Sequence, residues 1–204
     1  MDRRVPRPSA EPALAHSVST DRLILREMTD DDLDDMAALL GDDEVMRYYP
    51  RPKTRDEAAR WIAWNQQLYR DYGFGLWVMT LRYSGQFVGE CGLTVQVVDD
   101  VCEVEVGYHV LPAHQRRGYA TEAAAACREA ARERFGIARV VAVIHPDNRP
   151  SRIVAERIGL RLEKGAQMYG HHRLIFSSEP PLREKGPEIH DVVQGDRGTA
   201  SRGR

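Results

Sequence analysis

The sequence predicts a mixed α+β domain, and three observations predict it. Val104, Val106, Tyr108 and Val110 alternate with Glu103, Glu105, Gly107 and His109, the period of a strand with two unlike faces. From Thr121 to Phe135 the period changes: alanine dominates, glutamate and arginine are interspersed, and glycine and proline are missing, as in a helix. Residues 138–144 then form a nearly continuous apolar run, expected of a strand covered on both faces. A strand, a helix and a buried strand in succession imply a sheet with helices packed on it.

The elements follow in order. Residues 22–27 read as a short strand. Thr29, followed by Asp30, Asp31 and Asp32, caps a helix to about Leu40, with acids at its positive end, and Gly41 and Asp42 stop it. Residues 45–52, with two prolines and no periodicity, read as a loop. Thr54 and Glu57 make a capping box for a second helix, whose apolar side includes Ala58, Trp61, Ile62, Leu68 and Tyr69. Residues 76–81 and 86–97 are strands joined by a turn at Tyr83, Ser84 and Gly85, and Asp99-Asp100 turns the chain into the alternating strand. Gly136 ends the long helix. Pro150 suits the first turn of a helix that Gly159 terminates, and residues 160–164 and 170–177 supply two last strands. The order is β-α-α-β-β-β-α-β-α-β-β.

Between the alternating strand and the long helix lies Gln115-Arg116-Arg117-Gly118-Tyr119-Ala120. A strand that passes through such a turn into a helix gathers unpaired backbone N–H groups at the positive end of a dipole. That geometry binds phosphate, and Gly118 removes the side chain that would hold a phosphate off the backbone. These six residues resemble the (Q/R)-x-x-G-x-(G/A) signature of the GNAT superfamily of acyl-CoA-dependent N-acyltransferases. The longer string from Glu105-Val106-Gly107-Tyr108 to Thr121-Glu122-Ala123 is similar to the branch that contains the ribosomal-protein N-terminal acetyltransferases. Asn148-Arg149-Pro150-Ser151 and Ile158-Gly159-Leu160 match downstream, and the resemblance spans roughly residues 20–177. It implies the GNAT fold: a central mixed, mostly antiparallel sheet of about seven strands, its parallel fourth and fifth strands splayed, with four helices.

The resemblance also implies a cofactor and its contacts. Acetyl-CoA is expected in the splayed gap as co-substrate, its thioester carbonyl at the Val110 N–H and its path lined by the backbone of Tyr108 and His109. Its pyrophosphate is expected on the turn formed by Gln115, Arg116, Arg117, Gly118, Tyr119, Ala120 and Thr121, and its pantetheine arm at Asn148. An acceptor ammonium, with a pKa of about 10, must lose a proton before attack. Glu105 matches the acidic position before Gly-Tyr and is the expected general base, directly or through a water. Glu103 and His109 share its side of the strand and are the alternatives. Many relatives carry a tyrosine seven positions after the asparagine to protonate the departing thiolate; here that residue is Ala155. Ser151 is the expected substitute, with a helix cap or a pantetheine contact as its other uses, and Tyr169 is a further residue that could reach in.

Tyr48 and Tyr49 are expected to face the acceptor, while Trp61 and Trp64 either join them or pack in the core. His145, His171 and His172 are not spaced like a zinc site, so no metal is expected. A chain of 204 residues suits one domain, and a net charge of −2 gives no global attraction to nucleic acid or an anionic membrane. No apolar run approaches the ~20 residues that span a bilayer. The basic N-terminus lacks the apolar core of a signal peptide. Cys91, Cys102 and Cys127 read as free thiols of a reducing compartment, so a cytoplasmic location is expected. Residues 1–18 read as a flexible arm, 19–178 as the acetyltransferase domain and 179–204 as a disordered tail. The expected function is acetyl transfer from acetyl-CoA to a primary amine, on a protein N-terminus or a small molecule. An antibiotic-modifying enzyme is the alternative within that class, and a non-catalytic CoA-binding or RNA-associated protein is the alternative outside it. A homodimer is an expectation of family analogy alone.

Overall fold

The computed structural model describes residues 17–168 and 170–178; most of the expected arm, the expected tail and Tyr169 lie outside the described residues. The strands are β1 Val18–Ser19, β2 Leu23–Arg26, β3 Leu76–Leu81, β4 Phe87–Val98, β5 Val101–Val110, β6 Val141–Ile144, β7 Arg161–Met168 and β8 His171–Ser177. The helices are α1 Leu33–Leu40, α2 Arg55–Tyr72, α3 Tyr119–Phe135 and α4 Arg149–Arg157. All described strands join one sheet in the order β1-β2-β3-β4-β5-β6-β8-β7. The expected mixed sheet with four helices is therefore present, with eight strands. The additional one is β1, where Val18 pairs with Leu25 and buries its side chain, so one residue of the expected arm belongs to the sheet. The expected fourth and fifth strands are accordingly β5 and β6.

Local chemistry sets the boundaries. Thr54 and Glu57 close the expected capping box of α2: the Glu57 N–H donates to Thr54 Oγ1 at 3.3 Å, and the Thr54 N–H donates to Glu57 Oε2 at 2.7 Å. Before α1, Asp32 accepts from the Thr29 N–H at 2.8 Å and takes both Arg26 guanidinium nitrogens at 2.8 and 2.6 Å. Asp99 and Asp100 have φ of 48° and 63°, so β4 and β5 are joined by the tight two-residue turn that a twisted hairpin favours. Helix α3 begins two residues before its alanine-rich pattern because Gly118, at φ 84°, serves as its N-cap. Strand β6 begins three residues later than its apolar run. In that run Arg139 is held by Glu103 and Glu163 at 2.9 and 2.8 Å.

Helices cover both faces of the sheet. On one face Leu25, Leu93 and Val106 pack against the small residues Ala123, Ala124, Cys127 and Ala131 of α3, whose short side chains let the helix lie close to β4 and β5. On the other, Met36, Leu39 and Leu40 of α1 and Ala58 and Ile62 of α2 meet Val78 and Phe87. Among the described residues no helix is long and apolar enough to cross a membrane.

The sheet opens at its parallel pair. β4 and β5 pair without interruption from Gly89↔Val110 to Val98↔Val101. β5 and β6 meet at the single rung Glu105↔Val141, after which β6 continues beside β8. The Leu111 N–H donates to the Val88 carbonyl at 3.0 Å. Because an antiparallel ladder alternates, the backbone groups of Tyr108 and Val110 turn the other way, toward the β6 side where the strands have parted.

Close backbone approach supports this geometry at Gly92. A Cβ there would lie 2.1 Å from the Gly75 carbonyl oxygen and 2.7 Å from Leu76 Cα, atoms that cannot rotate away. Gly92→Ala is expected to lower stability by about 2 kcal/mol through overpacking. The measurement is the urea midpoint at unchanged slope, and an unmoved midpoint would contradict the reading.

Candidate active site

The turn before α3 gathers backbone N–H groups at a helix N-terminus. From Val110 the chain passes through a short 3-10 turn at Pro112–His114, then Gln115, whose side-chain amide donates to the Val110 carbonyl at 3.2 Å. Arg116 and Gly118 both adopt positive φ, 58° and 84°. Successive turns of that kind bring backbone N–H groups to one concave side. Gly118 has no side chain with which to cap the first turn of α3, and Arg116, Arg117 and Gly118 are all exposed. Glu122, an acid in that first turn, would oppose an anion, but it is engaged elsewhere. Its carboxylate accepts from Thr20 Oγ1 at 2.5 Å, the Arg22 N–H at 3.0 Å and Arg22 Nε at 2.6 Å. Burial works to raise its pKa, and the bonds from Thr20 and Arg22 outweigh this and hold it low. Arg22 also donates to the Arg117 carbonyl and lies over the Tyr119 ring, bracing the turn from just before β2.

Glu105 occupies the apex of the opening between β5 and β6. Its carboxylate accepts from Gln96 Nε2 at 2.8 Å, from Thr94 Oγ1 at 3.3 Å and from the Val143 backbone N–H at 3.3 Å. Burial pushes its pKa up, against the lowering effect of those three donors. Glu103, the alternative on the same side, is tied to Arg139 by a two-nitrogen contact at 2.9–3.0 Å and is not free for chemistry. On the opposite face Tyr108 reaches across to α4, its hydroxyl donating to the Ser151 carbonyl at 2.9 Å; burial raises its pKa. Asn148 is the N-cap of α4, its Oδ1 accepting from the Ser151 N–H at 3.1 Å, so the capping use considered for Ser151 belongs to Asn148. Ala155 is fully buried in the core.

His109 takes part in a chain that the sequence did not reveal. Trp61 Nε1 donates to Glu90 Oε2 at 2.9 Å, Glu90 Oε1 lies 2.7 Å from His109 Nδ1, and His109 Nε2 lies 2.9 Å from the Tyr49 hydroxyl. Glu90 is completely buried, so this carboxylate fixes the imidazole orientation from within the sheet. Trp61 thus contributes a donor as well as packing, and its ring meets Trp64 at 5.0 Å. Although 46% of Tyr49 is exposed, its hydroxyl end meets His109, and the negative charges of Glu105 and Glu90 act on it. Burial of that end and the two negative charges raise its pKa, while Arg173 acts to lower it. Tyr48 and Tyr49 line a cavity of about 290 Å3, together with Arg47, His145, His171 and Arg173. The Tyr48 hydroxyl donates to the Asp147 carbonyl at 3.2 Å, linking the α1–α2 loop to the loop after β6. Among the described residues no cluster of His, Cys, Asp or Glu could hold a metal ion.

Residues 22–161 match the family described as the acetyltransferase (GNAT) domain, which is more than half of the chain. The chain belongs to the GNAT acetyltransferases. A relative, the uncharacterised protein YkkB of Bacillus subtilis, is 36% identical over 146 residues, 71% of this chain and 85% of that one. A putative GNAT-family acetyltransferase from Bordetella pertussis has a solved structure at TM-score 0.68 and 27% identity, covering 80% of this chain and 99% of that chain. RimL, a ribosomal L7/L12 α-N-protein acetyltransferase solved with coenzyme A, superposes at TM-score 0.65; at 17% identity over 79% of this chain and 96% of that one, it shows the shared fold. The GNAT fold and an acyltransferase activity are thus established for this chain.

Within this GNAT domain, sequence reasoning missed Glu90, Arg47 and Arg173. A signal for Glu90 existed: it is a lone carboxylate in the otherwise apolar run from Phe87 to Leu93. Nothing comparable marked the two arginines, which come together from distant segments.

The raised pKa of Glu105 has a testable sign. Between its unfolded value of about 4.3 and its higher folded value, the folded state binds more protons than the unfolded, so stability falls as pH rises through that interval. The stability of the wild type relative to Glu105→Gln is expected to decline from about pH 4 toward neutrality. Urea unfolding across that range would measure it, and a flat difference would contradict the raised pKa.

Proposed function

We propose that the protein moves an acetyl group from acetyl-CoA to a primary amine, on a protein N-terminus or on a small molecule. The observation that carries this reading is the opening of β5 from β6 directly beyond Glu105. It lies between an uncapped helix N-terminus and a tyrosine-lined cavity. A long anionic donor needs backbone N–H groups to align it and a dipole to hold its charge. The turn from Gln115 to Thr121 would take the pyrophosphate. Asn148, whose Oδ1 caps α4, would offer its amide nitrogen to the pantetheine arm. The Val110 N–H, flanked by the backbone of Tyr108 and His109, would align the thioester carbonyl. Tyr48 and Tyr49 would flank the acceptor.

In this mechanism Glu105 takes the proton from the acceptor ammonium, directly or through a water. A carboxyl raised by burial is better matched to that task than an ordinary one. The amine nitrogen attacks the thioester carbon, the C–N bond forms, and the oxyanion accepts from the Val110 N–H. Collapse breaks the C–S bond. The thiolate, with a pKa of about 8.5, leaves with a proton from the Ser151 hydroxyl or from water. A second base is favoured by one observation: His109, held at Nδ1 by Glu90, points Nε2 at the Tyr49 hydroxyl on the cavity wall.

Calorimetric titration of acetyl-CoA, with free thiol release as the assay, tests the reading. Gly118→Trp is expected to abolish binding by filling the turn. Glu105→Gln is expected to keep binding and lower kcat by about 10²- to 10⁴-fold. His109→Gln in parallel assigns the base, because the variant that loses the acidic limb of the pH–rate profile carries it. A folded wild type that neither binds acetyl-CoA nor releases thiol would overturn the proposal.

A further inference from the structure

The cavity beside Tyr48 and Tyr49 has a charge pattern that selects its occupant. Arg47 comes from the loop after α1 and Arg173 from β8, so two cations from distant segments meet on one small cavity. Elsewhere in the molecule Arg22, Arg26, Arg51, Arg55 and Arg139 each pair with an acid. Among the described residues Arg47 and Arg173 make no ion pair; Arg173 donates to the His172 carbonyl at 3.3 Å. The acid on the same wall, Asp147, is well exposed and lies 3.9 Å from His145 Nδ1. The opposite charge sits deeper, where the Glu90 carboxylate reaches the Tyr49 hydroxyl through His109. Glu105 and Glu90 act on that hydroxyl as negative charges and Arg173 as a positive one. The cavity is thus negative at its inner end and positive at its wall.

We propose that the acceptor is a small primary amine carrying a carboxylate, with the carboxylate held by Arg47 and Arg173 and the ammonium directed toward Glu105 and His109. The inference rests on the acetyltransferase reading and names its substrate class. A volume of about 290 Å3 is at the lower end for ligand sites, which suits a molecule the size of an amino acid. Arginine presents a planar fork that matches a carboxylate. A polyamine or aminoglycoside would bring its second positive charge against those arginines, a repulsion that discriminates as strongly as an attraction. The reaction joins the acetyl carbon to the amine nitrogen and releases the CoA thiol and one proton; the carboxylate is unchanged. The same chemistry is offered by a free amino acid and by a peptide whose first side chain is acidic.

The test measures thiol release from acetyl-CoA with free amino acids, their amides, spermidine, and peptides beginning with aspartate or asparagine. Amino acids are expected to exceed their amides by about tenfold or more in kcat/KM, the scale of one charge-assisted contact, with the difference in KM. Arg173→Met and Arg47→Met are each expected to shrink that acid-to-amide ratio. A preference confined to aspartate-first peptides, with the same arginine dependence, identifies the peptide source. Equal rates for acids and amides, a preference for spermidine, or a ratio unmoved by both substitutions overturns the inference. If no amine is turned over, N-acetylated amino acids and their amides are titrated into CoA-saturated protein. Arginine-dependent binding of the acids supports the inference, and its absence overturns it. Failure to bind acetyl-CoA at all is a separate result that removes the acetyltransferase reading itself.

Discussion

A parallel pair of strands cannot part without leaving backbone groups in need of partners, and unpaired buried N–H groups are costly. In this protein the difficulty is met at one residue. Beyond the single Glu105↔Val141 rung, the Val143 N–H bonds the Glu105 carboxylate, which Gln96 and Thr94 hold from β4. One side chain therefore props the sheet open and presents a carboxylate where it opens. Its raised pKa is a consequence of the same burial. β5 stays rigid along this edge because its other edge is paired with β4 throughout, and β6 is fixed in the same way by β8.

The rest of the charge distribution follows a similar economy. Acids that would repel an anionic donor are engaged: Glu122 by Thr20 and Arg22, and Glu103 by Arg139, which also holds Glu163. Among the cations that could receive an anion are those of the turn, Arg116 and Arg117, and those of the cavity, Arg47 and Arg173. These sites belong to opposite faces of the sheet, one beside α3 and one beside the loop between α1 and α2. The opening between β5 and β6 lies between them, and in the proposed reaction donor and acceptor would approach it from opposite sides.

Most of the fold was legible because its signals are local. The Thr54–Glu57 box, the Asp99-Asp100 turn, the alternation of β5 and the alanine face of α3 each depend on residues a few positions apart. Where strand boundaries moved, contacts outside the local pattern moved them. Val18 joined the sheet because Leu25 was there to pair with it, and the segment before β6 carries Arg139, which answers Glu103 and Glu163. The phosphate-type turn was legible for the same reason as the elements: Gly118 and its arginines are contiguous.

The sequence by itself determined the α+β class, the order of the elements, the GNAT resemblance and the presence of an acidic strand leading into a turn of arginines and glycine before a helix. Periodicity and contiguous motifs encode these, and both are properties of neighbouring residues. Only the tertiary structure decided which carboxylate stands at the opening. Alternation put Glu103, Glu105 and His109 on one face, but packing gave Glu103 to Arg139, Glu105 to Val143 and His109 to Glu90. It also decided the character of the cavity, by bringing Arg47 and Arg173 together across more than a hundred residues of chain. Pairings across such a separation are set by how the sheet and helices close on one another, and no local pattern records them.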